Sequence, residues 1–223
     1  MEKERPNSIK EELLTPESKN MENVAMVYSK VFAGPPWYEV SRGEGCGKFY
    51  GPDLPAGLPC PCGCGILTEA YPTKETTEYI KGELSKPLAL GITISNLGTE
   101  SGFGWGYQLN GQDFAKYKYV KESSQKIIAE VVGISDFFYI SEVGIVPELQ
   151  GMGFGMKITL ALANQAKLNN LPILMRTNAD SPMVKIAKKL NMEQILGPTM
   201  KFQDPENIQR VIFLKLSDTL NKP

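Results

Sequence analysis

The chain has 223 residues, with 24 Lys and Arg against 25 Asp and Glu and no histidine at all. Near-neutral charge speaks against a general nucleic-acid binder and against electrostatic attachment to a membrane. No apolar run approaches spanning length, and Met1-Glu2-Lys3-Glu4-Arg5 is not followed by a signal-type apolar core, so a soluble cytoplasmic protein is expected. Without histidine, acid–base chemistry falls to carboxylates, Tyr, Lys or water.

Residues 1–14 are charged, with a short strand expected over Ile9–Leu14. Thr15-Pro16-Glu17 reads as a helix start, with Thr15 as N-cap, Pro16 in the first turn and Glu17 favourable to the dipole. Met21, Val24, Ala25, Tyr28, Val31 and Phe32 follow at helical spacing, and Gly34-Pro35-Pro36 must stop the helix. Trp37-Tyr38-Glu39 then stand on a loop.

Residues 41–65 are rich in glycine and proline and show no periodicity, so they read as an insertion and not as a regular element. All four cysteines fall here, Cys46, Cys60, Cys62 and Cys64, spaced C-x13-C-x-C-x-C. In a cytoplasmic protein such a set favours metal over disulfides, and Zn2+ held by four thiolates is the first candidate. Zinc knuckles prefer two residues between paired ligands, not one, so disulfide or redox chemistry and unbonded thiols stay open beside it. Four protein ligands would leave no vacant position, which makes any zinc here structural.

From Ala70 the chain regains order. Thr73 suits a helix cap, with the helix running to about Leu84. Leu88–Ile94 reads as a strand, Gly98 as a turn, and Phe103–Leu109 as a second strand whose aromatics alternate with glycines. That alternation sets Phe103, Trp105 and Tyr107 on one face and leaves the other bare, which suits close approach of a helix or a ligand. Asn110-Gly111 marks a turn, residues 112–122 are polar and unassigned, and Ser123–Val132 fits a helix with Ile127, Ile128 and Val131 inside and Gly133 closing it.

The centre of the chain is residues 138–155. Phe138 to Val146 reads as a buried strand stopped by Pro147, and Gly151-Met152-Gly153-Phe154-Gly155 is a glycine loop opening into a helix from Met156 to about Lys167. Strand, glycine loop and helix N-terminus together suit an anion, because glycine permits close approach and free N–H groups point out of the first turn. A P-loop is excluded by the missing Lys-Ser/Thr pair. A dinucleotide fingerprint fails because Gly155 comes one residue early and Arg176-Thr177-Asn178 replace the acidic residue.

Gln150, Gly153 and Gly155 meet the pattern Gln-x-x-Gly-x-Gly, which resembles the acetyl-CoA signature of the Gcn5-related N-acetyltransferases (GNAT family) over roughly residues 138–191. The resemblance implies one α/β domain over residues 1–223: a mixed, partly open sheet flanked by helices, with residues 41–65 inserted between the first two helices. It implies acetyl transfer from acetyl-CoA to a primary amine by direct attack, the amine belonging to a small molecule or a peptide. The cofactor-binding set so implied is Ile145, Val146, Gln150, Gly151, Met152, Gly153, Phe154, Gly155, Met156 and Asn178. Amides of the loop would hold the pyrophosphate, while the backbone of Ile145 and Val146 pairs with the pantetheine arm. Glu142 is the first candidate for base or amine-binding group, with Tyr139 behind it, and Trp37 and Glu39 would wall the acceptor cleft. Strict alternation places Glu142 opposite Tyr139, unless a bulge intervenes.

Asn169-Asn170-Leu171-Pro172 stops the helix, and Ile173–Arg176 is a strand parallel to the central one. Ser181 and Pro182 start a helix with Met183, Ile186, Ala187 and Leu190 at helical spacing, and Asn191 tolerates the left-handed position beyond it. Strands near Glu193–Leu196 and Arg210–Leu216 complete the sheet. The chain departs from the resembled family at Ala187, where relatives often place a tyrosine acid. That keeps a second reading open, an acyl-CoA-binding or sensor module without catalysis. An oxidoreductase reading rests on glycine spacing alone. Monomer and homodimer are both open.

Overall fold

The computed structural model describes residues 9–119, 122–133, 136–197 and 210–216. In chain order these form β1 (Ile9–Leu14), α1 (Met21–Phe32), β2 (Ser41–Gly43), β3 (Phe49–Tyr50), β4 (Leu67–Glu69), α2 (Thr73–Leu84), β5 (Leu90–Asn96) and β6 (Thr99–Asn110). There follow α3 (Gly111–Lys118), α4 (Glu122–Val132), β7 (Asp136–Ile145), a 3-10 turn over Pro147–Leu149, α5 (Phe154–Leu168), β8 (Ile173–Asn178), α6 (Met183–Lys189), β9 (Glu193–Leu196) and β10 (Arg210–Lys215). Seven strands make one sheet in the order β1-β5-β6-β7-β8-β10-β9, and β3-β2-β4 make a small second one. The large sheet is mixed, as expected. β1 runs antiparallel to β5, and β10 antiparallel to β8 and β9, while β7 and β8 are parallel over three rungs from Phe138↔Ile173 to Ile140↔Met175. No helix among the described residues is long and apolar enough to cross a membrane.

The chain divides into two compact units. One comprises the chain up to Ser85, Gly91–Phe103 and Gly144–Phe154; the other comprises Lys86–Leu90, Gly104–Val143 and the chain from Gly155 on. The first has a ring cluster at its core. Tyr28 on α1 lies 4.4 Å from Phe32, 5.0 Å from Tyr71 and 5.4 Å from Phe103 between ring centres. β5 and β6 are joined here by Leu97 and Gly98, both at positive φ (52° and 77°), which is the two-residue turn whose twist suits a hairpin. The second unit is centred on Phe114, which meets Phe137 at 5.9 Å and Tyr139 at 5.2 Å, with Tyr107 packed on Tyr139 at 5.8 Å.

Most expected elements are present, but several ends move. Thr15 does not cap α1. It folds into a turn with Ser18, whose hydroxyl accepts from the Thr15 N–H at 2.9 Å, and the helix begins only at Met21. Thr73 is itself the first residue of α2, with Pro72 in the cap position and no side-chain capping bond. Residues 111–118, within the unassigned polar stretch, form α3: Asn110 is its N-cap, and its side-chain oxygen accepts from the Asp113 N–H at 2.8 Å. Residues 41–65, expected to be irregular, contain β2 and β3, and β4 follows directly. Ile128 is buried as expected, whereas the side chains of Ile127 and Val131 lie outside the described ones.

The bare face of β6 does what its glycines suggest. Phe103, Trp105 and Tyr107 are fully buried on one side, each such ring worth about 1.5–3 kcal/mol of burial. On the other side, a Cβ at Gly102 would lie 2.6 Å from Ile145 Cδ1, one at Gly104 2.5 Å from Ile158 Cγ2 on α5, and one at Gly106 2.5 Å from the Phe138 ring. The occupant is therefore a neighbouring strand and a helix. Gly104→Ala is expected to destabilise the fold by about 1–3 kcal/mol, since the added methyl must also clear the Glu142 carbonyl oxygen at 3.1 Å. Urea unfolding of variant and parent measures this.

Candidate functional site

β7 ends in Val146, whose N–H donates to Ser101 O at 3.0 Å. Backbone N–H groups alternate in direction along a strand, so that of Ile145 points away from β6. The 3-10 turn follows, closed by Leu149 N–H on Val146 O (3.0 Å) and Gln150 N–H on Pro147 O (3.3 Å). The Gln150 side chain reaches back, its Nε2 donating to Ile145 O at 3.0 Å. Lys30 on α1 pairs with Glu148 at 2.9 Å, which holds the turn from outside and keeps the Glu148 carboxyl below its ordinary pKa. A recess of about 600 Å³ opens beside this ion pair, between α1 and the β5–β6 turn.

Gly151 and Gly153 take φ of 82° and 88°, a region where an L side chain costs about 1–2 kcal/mol. A Cβ at either would meet nothing within 4 Å, so this stretch of chain faces open space. Among the described residues none accepts from the N–H groups of Gly151, Met152 or Gly153. α5 starts at Phe154, two residues earlier than the sequence suggests, and Phe154 is buried at 7% exposure while Gly155 and Met156 are half-buried. Its first turn adds further N–H groups without helical partners. The local chemistry is that of an anion cradle: adjacent unengaged donors, no side chains in the way, and a helix dipole behind.

The strand before it does not alternate evenly. Tyr139 packs against Tyr107, and a Cβ at Gly144 would run into Phe103, so positions 139 and 144 share a face despite an odd separation. Val143, on the opposite face, has its Cγ2 3.3 Å from where a Cβ of Gly104 would lie. One residue is thus accommodated out of step between Tyr139 and Val143, as in a β-bulge. Glu142 is half-buried and falls inside that irregular stretch. Tyr139 itself is 1% exposed among Tyr107 and Phe114, with Lys118 Nζ 5.3 Å over its ring.

Asn178 is buried and its side-chain oxygen accepts from Asp180 N–H at 2.9 Å, shaping the turn into α6. Ala187 on α6 is fully buried, so no hydroxyl is available at that position. Trp37 lies 5.4 Å from the Phe32 ring. Glu39, expected as an acidic wall residue, is only 3% exposed and accepts a short hydrogen bond from the Tyr71 hydroxyl. Tyr71 is a partner the sequence did not reveal.

The four cysteines converge. All four Sγ atoms lie within 4.8 Å of one another, with Cys46 to Cys60 at 3.8 Å and Cys60 to Cys62 at 3.2 Å. Two contributors escaped the sequence reading: Tyr50, whose hydroxyl lies 3.3 Å from Cys60 Sγ, and Gly43, where a Cβ would be 2.5 Å from Cys46 Sγ. The Tyr50 hydrogen bond brings the Cys60 thiol down to about 6, and the Lys48 backbone N–H lowers Cys46. Hydrogen bonding to Cys62, then burial, pushes Cys64 up to about 12. Thiols this close cannot all ionise without a cation between them.

No protein-family description matches the sequence, and no curated protein matches it. Solved structures do. A mosquito arylalkylamine N-acetyltransferase-like protein superposes with a TM-score of 0.56 at 13% identity, over 94% of this chain and 100% of that one. A Drosophila melanogaster polyamine N-acetyltransferase gives 0.55 at 9%, over 94% and 100%. An acetyltransferase described as of the GNAT family, from Desulfovibrio desulfuricans, gives 0.53 at 8%, over 94% and 99%. The fold is that of the Gcn5-related N-acetyltransferases.

Within the site's surroundings, Tyr71→Phe is expected to cost about 1–3 kcal/mol, because it strips a hydroxyl donor from a buried carboxylate. Thermal denaturation reads the loss, and Tyr38→Phe, at a half-exposed position, should leave the midpoint unchanged.

Proposed function

We propose that this chain transfers the acetyl group of acetyl-CoA to a primary amine by direct attack, as one acetyltransferase domain that includes the 41–65 stretch. The observation that carries the reading is the open cradle at Gly151–Gly153 leading into α5. Amides of Gly151, Met152, Gly153 and Gly155, with Met156, would grip the diphosphate of coenzyme A, and Phe154 anchors the first turn in the core. Gln150 braces the end of β7 through Nε2 on Ile145 O and has a second amide N–H to offer the cofactor. Val146 N–H is likewise engaged by Ser101, which leaves the Ile145 N–H as the donor directed toward the acyl arm.

In the reaction the amine nitrogen attacks the thioester carbonyl carbon. The C–N bond forms, the C–S bond breaks, and the electron pair leaves on sulfur. A nearby backbone N–H steadies the oxyanion. Glu142 takes the amine proton, directly or through water. Tyr139 is the secondary candidate, weakened by its burial among rings. With Ala187 supplying no acid, the thiol departs as thiolate, which a thiol pKa near 8.5 permits. Glu39 and Trp37 would act on the acceptor through the wall they help form. The named acceptors of solved neighbours, arylalkylamine, polyamine and agmatine, support an amine as acceptor class. The second reading, an acyl-CoA sensor on the same fold, is favoured by Ala187 alone.

The test is release of free CoA thiol from acetyl-CoA across a panel of polyamines, arylalkylamines, amino acids and peptide N-termini, alongside a thermal shift with CoA. Amine-dependent release supports the enzyme. Stabilisation by CoA with no release on any amine supports the sensor, and no response to millimolar CoA defeats both. Glu142→Gln is expected to lower kcat by about 10²-fold or more with little change in KM for acetyl-CoA. Gly151→Ala, which clashes with nothing in the protein, should raise that KM about ten-fold with kcat largely kept.

A further inference from the structure

We infer that Cys46, Cys60, Cys62 and Cys64 hold one Zn2+ in a closed four-thiolate site that organises residues 41–69 and, through them, the Glu39–Tyr71 pair. The proposed transfer reaction uses none of these thiols, so the inference stands or falls separately from it.

The geometry is that of a ligand set. A tetrahedral zinc with Zn–S bonds of about 2.3 Å needs sulfurs about 3.8 Å apart. Cys46 and Cys60 are 3.8 Å apart, Cys60 and Cys62 3.2 Å, and the whole set fits within 4.8 Å. All four are free thiols. The chain without histidine offers only sulfur here, and an all-thiolate donor set selects a soft or borderline ion, with zinc the commonest.

The backbone is shaped to let the sulfurs meet. Cys46 sits in the turn after β2, where Gly47 takes φ of 67° and its N–H returns to Gly43 O at 2.8 Å. The other three lie in the turn before β4. There Cys60 N–H donates to Gly65 O at 2.9 Å, Gly63 N–H donates to Cys60 O at 2.9 Å, and Gly63 and Gly65 both take positive φ. That reversal is how a C-x-C-x-C run, poor as a knuckle on spacing alone, brings three sulfurs to one point. Beneath them Gly43 has no side chain: a Cβ there would lie 2.5 Å from Cys46 Sγ, 3.0 Å from Cys60 Sγ and 3.6 Å from Cys64 Sγ. Tyr50 adds a hydroxyl at 3.3 Å from Cys60 and 3.9 Å from Cys46, a donor suited to the excess negative charge of four thiolates on a divalent ion.

The stretch also needs such a centre. β2, β3 and β4 have three, two and three residues, too short to hold as a sheet by pairing alone. Leu67 is its one large fully buried apolar side chain among the described residues. A metal closing the two turns replaces the missing core, and with four protein ligands it has no vacancy for chemistry. What it secures lies at the base of the loop. Val40 N–H donates to Tyr50 O at 2.9 Å, Ala70 N–H donates to Val40 O at 3.2 Å, and Phe49 stacks on Tyr71 at 5.4 Å. Those contacts hold Glu39 and Tyr71 together.

The full chain, purified under reducing conditions without chelator, is expected to carry one zinc per chain by elemental analysis. Exchange with Co2+ should give the intense visible bands of tetrahedral thiolate cobalt. Thiol titration should find four reactive cysteines only after a strong chelator is added, together with new protease cuts confined to residues 44–66. Cys62→Ser should lower zinc content to near zero. Gly43→Ala keeps every ligand and should weaken zinc about ten-fold or more with all four thiols still titratable, which guards against a variant that simply misfolds. Protein that carries less than a tenth of an equivalent of metal, gives no cobalt spectrum and shows four thiols reactive from the outset would overturn the inference. So would a disulfide among the four in protein kept reduced.

Discussion

The bare face of β6 is the constraint on which the arrangement depends. Gly102, Gly104 and Gly106 leave no side chains on that side, so Ile145, Ile158 and Phe138 rest against the strand itself. Two consequences follow for the glycine loop. The end of β7 is drawn in against Gly102, where Val146 bonds to Ser101, and α5 is pressed onto Gly104 by Ile158. The loop that follows β7 is fastened by the first of these contacts within its own unit and presents its amides. An anion cradle requires that stiffness, because donors that must first be ordered contribute less to binding than donors already in place. The Lys30–Glu148 pair and the Gln150 brace act on the same few residues from outside.

What could be read in advance was set by local chemistry. The glycine loop was legible because Gly151 and Gly153 take positive φ that glycine adopts most readily. The stop at Asn169–Pro172, the left-handed Asn191 at φ 53° and the Pro182 start of α6 are all short-range effects that tertiary contacts did not override. Misreadings arose where two local signals competed. Thr15-Pro16 carries cap chemistry, yet Ser18 captures the Thr15 N–H and delays the helix to Met21. Asn110-Gly111 is a turn signal, yet Asn110 caps α3 through Asp113. The β2–β4 sheet was hidden because its strands are too short to show a period. The break in alternation along β7 was beyond reach for another reason: it shows only where Tyr139 and Gly144 meet the rings of Tyr107 and Phe103, and no residue of β7 announces it.

The two chemical features differ in what they ask of the chain. The glycine loop asks for absence, with positive φ and empty space at Gly151 and Gly153. The cysteine cluster asks for convergence of two separate turns, and Gly43 and Gly45, with the reversed backbone at Gly63 and Gly65, make that sterically feasible. Glu39, buried and held by Tyr71, stands at the base of the stretch that carries the second feature.

The division of the chain carries a practical meaning for anyone who would dissect it. Each compact unit is assembled from three separate stretches of polypeptide, and two of the five changeovers fall inside β6, between Phe103 and Gly104, and inside β7, between Val143 and Gly144. A single cut within Lys86–Phe154 therefore leaves both units missing a piece. Gene fragments chosen by length would express halves with exposed strand edges, prone to aggregate.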